Sequence, residues 1–146
     1  MQEAIDLSPD QCEQLLNAGV TGRVAVSSPD GPHLVPVNYS VVDGAIIIRT
    51  SPYSQLGTYG RGSMLAFEID WFDHDRWRGW SVIARGRADV VTNPAELDRI
   101  RATWEPHPWA AGSRNLYLRL RWTELSGRQL GEGWDPLQAL PVRRAV

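Results

Sequence analysis

Apolar and polar residues alternate through most of the chain, and three short segments with helical spacing interrupt this alternation. The helical segments share a start signal, in which a hydroxyl or amide N-cap is followed by proline at the first helical position. One predicts a helix over about 9–18 with Ser8 as its N-cap, and another predicts a helix that begins at Pro94 behind Asn93. Both helices carry one apolar face, so we expect them to pack on the outside of a larger core.

Six segments follow a period of two and predict antiparallel strands. They lie at about 22–28, 33–42, 45–50, 63–72, 79–91 and 114–125. Turn signals "PDG" and "DG" join the first three, which indicates a meander. Six such strands bury two faces only by closing or by pairing sheets, so we expect a mainly β fold, a small six-stranded antiparallel barrel with peripheral helices. The tail, about 131–146, is too weakly patterned to predict an element.

Composition indicates one soluble domain that spans 1–146. Hydrophobic residues make up 42% of the 146 residues and charged residues 22%, as in ordinary globular proteins. The net charge of −2 comes without a basic run, so nucleic acid is not an expected partner. No window is apolar enough for a membrane helix, and the single cysteine, Cys12, excludes an intrachain disulfide. We therefore expect a cytoplasmic protein with no membrane partner.

The stretch "AIIIRTSPYSQLGTYGRG" raises the first chemical question. It predicts a strand that ends at Arg49, Thr50 and Ser51, and a short helix that begins at Pro52 with Ser51 as its N-cap. A strand end, a helix start and a guanidinium that meet at one point suit a phosphate group. An ordinary capped helix beside a solvated arginine explains the same residues, and the local sequence leaves both interpretations open.

Two further segments offer candidate contacts. Pro36 lies inside a predicted strand and removes a ladder donor, so it indicates a sheet edge, a bulge or the approach of a ligand. His33, on the same strand, has no second histidine or cysteine at a ligand spacing, which favours a surface or ligand-edge histidine over a metal ligand. The segment "EIDWFDHDRWRGWS" predicts a loop-like link between strands; it is either a charged hairpin whose tryptophans cover the barrel mouth, or a place where Trp80 and Ser81 contact a planar ligand.

The order of these motifs resembles a known family. "GRVAVSSPDGPHLVPVNYSVVDGAIIIRTSPYSQ", "AFEID", "GWSVIARGRADVVTNPAEL" and "PWAAGSRNLYLRLRWTELSGRQL" follow one another as in the pyridoxamine 5′-phosphate oxidase-like family of FMN-binding split barrels, in its nitroimidazole-resistance-like actinobacterial branch. The resemblance covers about residues 8–131. It implies a split barrel that forms a homodimer and holds FMN, or in some relatives a deazaflavin cofactor, between the two subunits.

The resemblance also assigns residues to the cofactor. The strand end that holds the flavin phosphate corresponds to Arg49, Thr50 and Ser51. The strand that runs beside the isoalloxazine ring corresponds to Pro36, Val37 and Asn38. The strand start that comes up to the cofactor corresponds to Trp80 and Ser81, and a loop from the partner subunit corresponds to Trp109.

Gln55 departs from the family pattern. Relatives of this branch commonly carry a lysine where this chain has Gln55, and all 15 basic residues here are arginines. Glutamine donates hydrogen bonds to a phosphate but brings no charge. Arg49 is the expected compensating cation, because Arg61 follows two predicted helical turns and lies about 9–10 Å further along by the rise per residue.

The resemblance implies a flavin-dependent oxidoreductase that acts on an unidentified small molecule, with hydride chemistry supplied by the cofactor. Two alternatives stay open from the sequence. One is a protein that binds a flavin, deazaflavin or haem without turnover, and the other is a barrel that has lost its cofactor.

Overall fold

The computed structural model describes residues 3–107 and 115–140. Eight strands, three α-helices and one 3₁₀ helix make up this part of the chain. In chain order they are β1 (Ala4–Asp6), α1 (Pro9–Ala18), β2 (Thr21–Ser28), β3 (Gly31–Asn38), β4 (Ser40–Val42), β5 (Ala45–Thr50), α2 (Gln55–Tyr59), β6 (Met64–Asp73), β7 (Arg78–Val90), α3 (Pro94–Trp104), β8 (Leu116–Leu130) and the 3₁₀ helix Pro136–Ala139.

The strands form one curled antiparallel sheet. Its order is β3–β2–β6–β7–β8–β5–β4, and β1 adds to β8 beside this path. The expected mainly β architecture with peripheral helices is confirmed. The strand count of six is wrong for the described residues, because β1 was not predicted and the predicted strand 33–42 is two strands that meet at Tyr39.

Tyr39 is the corner that curls the sheet. β3 and β4 stand at opposite ends of the strand order, yet only Tyr39 separates them in the chain. The two end strands therefore lie close to one another without pairing. Tyr39 is buried, donates its hydroxyl to the carbonyl of Leu16 at 2.6 Å, and meets the Phe67 ring edge-on at 4.8 Å between centroids. Its backbone N–H still bonds Val20, which fixes where β3 ends.

Two cores explain the uninterrupted isoleucines of β5. Ile46 and Ile48 lie in the main core, which the sheet encloses together with Leu15 and Leu16 of α1 and Leu56 of α2. Ile47 points to the other side, into a second cluster with residues of α3 and its neighbours, Val42, Val91, Ile100 and Tyr117. β5 is thus covered on both faces, and a strand covered on both faces does not alternate.

Helix starts match the predictions at α1 and α3 and differ at α2. Ser8 and Asn93 cap their helices through side-chain acceptors, and α1 covers the predicted 9–18. The prediction that Ser51 caps a helix beginning at Pro52 is wrong. α2 begins at Gln55 and its N-cap is Ser54, whose Oγ accepts the Gly57 N–H at 2.9 Å.

The loop-like link is a hairpin, as one of its two sequence interpretations proposed, and the tail contains an element that was not predicted. The predicted link "EIDWFDHDRWRGWS" is a tight hairpin, in which β6 runs to Asp73 and β7 begins at Arg78. Asp73 shapes the turn because its Oδ1 accepts the N–H groups of Asp75 and Arg76. Within the tail, a 3₁₀ helix forms at Pro136–Ala139 with Asp135 as its cap, contrary to the prediction of no element there. No helix in the described ranges is both long enough and apolar enough to cross a membrane.

Candidate functional site

The end of β5 carries a cluster of hydroxyl groups. Thr50 is buried, and its Oγ1 lies 2.8 Å from Oγ of Ser54. Ser54 donates to the carbonyl of Ser51 at 2.8 Å, and Ser51 Oγ accepts the N–H of Tyr53 at 3.2 Å. These groups hold the turn between β5 and α2 together. The capping interpretation of this stretch therefore describes the local bonding, with Ser54 in the role expected of Ser51.

Arg49 and Thr50 lie on opposite faces of β5, because adjacent side chains of a strand alternate. The Arg49 guanidinium is on the α3 side, 5.2 Å from the centroid of the Tyr117 ring, and its Nη1 lies 3.3 Å from Oε1 of Glu105. Tyr117 also donates its hydroxyl to Glu105, and burial together with this bond raises the pKa of Tyr117. The charge of Arg49 is thus partly compensated on the face away from the Thr50 hydroxyl.

Arg61 lies closer to the turn than its sequence position indicates. α2 is only five residues long, and the Arg61 Nε donates to the carbonyl of Gly57 at 2.8 Å. Gly57 itself packs on the turn, since a Cβ there would lie 2.1 Å from the carbonyl oxygen of Ser51. The guanidinium is exposed, and no carboxylate of the described residues forms an ion pair with it. Gln55 is exposed on the first turn of the same helix.

Pro36 lies on an edge strand, as one of its three sequence interpretations predicted. β3 pairs only with β2, with Pro36 opposite Arg23, and Pro36 faces outward while Val37 is buried on the inner face. Asn38 accepts the Thr21 hydroxyl at 2.7 Å and donates its amide to the carbonyl of His107 at 2.9 Å. Its side chain thereby ties β3 to β2 and to the segment after α3.

A cavity of about 250 Å³ opens where β2 and β6 part. These strands pair only from Arg23 to Ala25, so the start of β2 diverges from Ile69 and Asp70. The gap is lined by Gly19, Val20, Thr21, Gly22, Arg23, Pro36, Ile69, Asp70, Trp80 and Leu140. Gly22 packs closely on the Phe67 ring, since a Cβ there would lie 2.3 Å from it. The cavity joins the outer face of the sheet to its interior.

Trp80, which lines this cavity, has an unused hydrogen-bond donor. Its side chain is only 2% exposed, and its Nε1–H finds no acceptor among the described residues. A buried donor without an acceptor is costly, which suits a bound acceptor. Ser81 is on the opposite face of β7 and lines a different cavity with Ile83 and Arg128. Trp80 and Pro36 are therefore brought together, whereas Trp80 and Ser81 are separated.

Glu68 and Asp70 were missed as site residues from the sequence. Arg23 Nη1 lies 2.7 Å from Oε1 of Glu68 and 3.2 Å from Oδ2 of Asp70, at the mouth of the cavity. Burial, followed by the hydrogen bond and charge of Asp70, raises the pKa of Glu68 to about 7. Two acids spaced by two residues on one predicted strand were the available signal, because that spacing puts them on one face.

His33 and Trp109 are the other two residues that the sequence analysis considered as candidates. His33, on β3, bonds to the β2–β3 turn: its Nε2 lies 2.9 Å from the Ser28 hydroxyl and 3.0 Å from Oδ1 of Asp30. Trp109 falls in 108–114, outside the described residues. In the two described ranges, no three histidine, cysteine or acidic side chains gather as metal ligands.

Comparison with known proteins identifies relatives along most of the chain. The family model described as "Pyridoxamine 5′-phosphate oxidase" matches residues 8–129. The uncharacterized protein Rv0080 of Mycobacterium tuberculosis is 34% identical over 113 residues, which are 74% of this chain and 73% of that protein.

Solved structures share the fold. An FAD-binding protein from Mycobacterium smegmatis superposes with a TM-score of 0.70 at 28% identity, over 86% of this chain and 97% of that one. An FAD-binding protein from Mesorhizobium loti superposes with a TM-score of 0.72 at 20% identity, over 88% and 99%, and supports the fold alone. With a family model that matches nearly all of the described core and a relative above 30% identity, the chain belongs to the pyridoxamine 5′-phosphate oxidase-like family and has its split-barrel fold.

Proposed function

We propose that the protein binds the FMN moiety of a flavin nucleotide and acts as a flavin-dependent oxidoreductase on a small molecule. The observation that carries the proposal is the Trp80 indole N–H, which is buried without an acceptor on a residue that lines the same cavity as Pro36. The family membership and the FAD-binding protein of M. smegmatis support the same cofactor class. FMN and FAD share the isoalloxazine ring and the first phosphate, so the same binding site accommodates either cofactor.

The ring end of the proposed site fits a flavin. Pro36 presents its edge of β3 without an N–H, and Val37 and Asn38 continue that edge. The isoalloxazine ring carries carbonyl oxygens and ring nitrogens that accept hydrogen bonds, and Trp80 offers the donor they need. A bound flavin supplies hydride transfer, while the chain binds it, orients it and excludes water.

The phosphate end fits through hydroxyls and Arg61, which has no ion-pair partner within residues 3–107 and 115–140. Thr50, Ser51 and Ser54 provide the hydroxyls at the strand end, and Gln55 adds amide donors beside them. Arg61 is the cation best placed to form an ion pair with a phosphate there, because Arg49 already contacts Glu105 and Tyr117. Charge-assisted hydrogen bonds to a phosphate are stronger than hydrogen bonds between neutral groups.

A homodimer with the flavin between subunits completes the proposal. Pro36 shares the outer face of the sheet with three exposed apolar side chains, Leu34, Met64 and Ile83. A second copy that covers this face would also shield a ring bound against β3, since buried apolar area is the main drive for association.

Titration of flavin fluorescence tests the proposal. FMN quenching with an affinity of about 1–10 µM is expected for the wild-type protein. Arg61→Gln should weaken it about tenfold to a hundredfold, the value of one charge-assisted bond. Arg99→Gln, an exposed arginine of α3 paired with Asp43, is the matched control and should change it less than about twofold. Gln55→Lys should strengthen binding about tenfold if the seat is otherwise intact.

Anaerobic reduction then separates the oxidoreductase from a flavin carrier. Added NADH or NADPH should bleach the visible absorbance of the bound flavin, and an added acceptor should restore it. Absence of quenching by either flavin at millimolar protein would refute flavin binding. Bound flavin that neither nicotinamide reduces would leave a binding protein and refute the enzymatic part.

A further inference from the structure

The tip of the β6–β7 hairpin presents two aromatic rings to solvent. Trp77 is 74% exposed and Phe72 is 50% exposed, although large rings are normally buried. With Leu130, Arg76 and Arg78 they line a cavity of about 820 Å³. None of these residues lines the cavity between β2 and β6, so the hairpin tip is a separate place on the molecule.

Trp77 occupies a backbone position that favours glycine. Its φ is +52°, in the left-handed region, where a side chain is disfavoured by contact of its Cβ with the backbone. The described chain has only one other non-glycine residue with positive φ, Asp43, a short polar residue that tolerates this region. A bulky apolar side chain that is both strained and exposed contributes nothing evident to the fold, and such outliers often mark functional contacts.

Phe72 is held in place rather than loosely exposed. It stands opposite Gly79 on β7, and a Cβ on Gly79 would lie 2.2 Å from Cδ1 of the Phe72 ring. The ring therefore lies across the glycine backbone as a fixed platform. Fixed rings bind planar ligands at a lower entropic cost than mobile ones.

The two arginines of the tip have only weak partners, and the carboxylate of Asp73 is held by the turn. Asp73 accepts two backbone N–H groups of the turn, at 3.0 and 3.3 Å. The Arg76 side chain is 70% exposed and approaches Asp73 only to 4.0 Å. The Arg78 guanidinium rests over the Trp134 ring, 5.6 Å from its centroid, and forms no ion pair within the described residues. The lining of this cavity therefore carries an excess of positive charge, with two arginines and one aspartate.

We propose that the hairpin tip binds a planar aromatic anion, with its ring on Phe72 and Trp77 and its phosphate or carboxylate on Arg76 and Arg78. A nucleotide base linked to a phosphate has this chemistry. It comes either from the adenylate half of an FAD whose flavin occupies the proposed site, or from a separate nucleotide. Any nucleotide base stacks favourably on an aromatic side chain, because every base has a π-face.

AMP is the first probe, because it carries a ring and a phosphate but no flavin. Isothermal titration of the full chain should give a dissociation constant below about 1 mM, with adenosine and ribose 5-phosphate each at least about tenfold weaker. Trp77→Gly and Arg76→Gln should each weaken AMP about tenfold. Trp104→Ala, which removes a partly exposed tryptophan of α3, is the matched control and should stay within about twofold.

Trp77→Gly keeps the test decisive because glycine accepts the backbone conformation without strain. Its melting temperature should match or exceed that of the wild type, so lost binding cannot be ascribed to unfolding. Undetectable AMP binding, or equal AMP affinity in the wild type and in Trp77→Gly, overturns the proposal. Either result leaves the flavin proposal untouched, since FMN quenching is measured independently.

Flavin titrations identify the source of the nucleotide. If Trp77→Gly weakens FAD but not FMN, the tip takes the adenylate half of the cofactor. If FMN-saturated protein still binds AMP and Trp77→Gly leaves FAD unchanged, the tip takes a separate nucleotide. Both outcomes support a site for an aromatic anion at the tip.

Discussion

At the scale of single residues, Glu68 makes the fold sensitive to pH. Its pKa is raised from 4.5 to about 7, chiefly because it is partly buried and secondly because Asp70 lies beside it. The folded protein therefore holds a proton on Glu68 at pH values where the unfolded chain has released it. The contribution of Glu68 to stability must fall as the pH rises from about 4.5 towards about 7, because its folded form binds more protons in that window.

Glu68→Gln should remove this dependence. Glutamine keeps the shape and cannot ionise, so the stability of the variant relative to the wild type should increase as the pH rises through the same window. Urea denaturation at a series of pH values measures it. Glu124→Gln is the control, because Glu124 also pairs with an arginine across strands, at 2.7 Å from Arg85, but on a more exposed part of the sheet. If the stabilities of the wild type and of Glu68→Gln change with pH in parallel, the raised pKa of Glu68 is contradicted.

At the scale of elements, the β5–α2 turn depends on Gly57. The position of a Cβ at Gly57 lies 2.1 Å from the backbone oxygen of Ser51 and 3.0 Å from Cα of Pro52. Gly57→Ala must push α2 away from the end of β5. We expect a loss of about 1–3 kcal/mol in the free energy of unfolding, as for other overpacked contacts, and weaker FMN binding.

Thr58→Ala, on the exposed side of the same helix, controls for helix propensity in the Gly57 experiment. Its stability should change by less than about 0.5 kcal/mol. Denaturant unfolding measures the stability of both variants, and flavin titration measures their FMN affinity. If Gly57→Ala has the same free energy of unfolding as the wild type, the prediction that the turn depends on Gly57 is contradicted.

The elements that local chemistry determines were predictable from the sequence. α1 and α3 were predicted because each start signal is complete within four residues, and β5 because its apolar run has sharp ends. The start of α2 was misplaced because Ser51 and Ser54 are both caps by type, and packing of Gly57 on the turn selects Ser54. The break at Tyr39 depends on Leu16 and Phe67, which are distant in sequence.

Prediction of the candidate site had the same limit. The edge position of Pro36 followed from proline's missing N–H alone. The weight given to Arg49 over Arg61 rested on distance along the chain, whereas the structure pairs Arg49 with Glu105 and folds Arg61 back onto Gly57. Glu68 stayed unnoticed because its meaning depends on Arg23, on a strand that precedes it by more than forty residues.

At the scale of the whole molecule, the outer face of the sheet governs the proposed dimer. Ile83 and Met64 are exposed apolar residues on β7 and β6. We expect the wild type to sediment as a dimer, and Ile83→Glu or Met64→Glu to shift it towards monomer and weaken FMN, because a buried unpaired charge is costly. Thr92→Glu, in the exposed connection before α3, should leave both properties unchanged. A monomeric wild type, or dimers that tolerate both glutamates, would contradict the proposal.

β8 has a consequence for the order in which the protein forms during synthesis. It is the strand that joins β7 to β5, and all three of its partners, β1 included, precede it in the chain. While the ribosome is still making β8, the β2–β3 hairpin and the β4–β5 hairpin have no strand to connect them into one sheet. The edges of β7, β5 and β1 that pair with β8 stay open until residues 116–130 emerge, and open strand edges make a partly synthesised chain prone to aggregation.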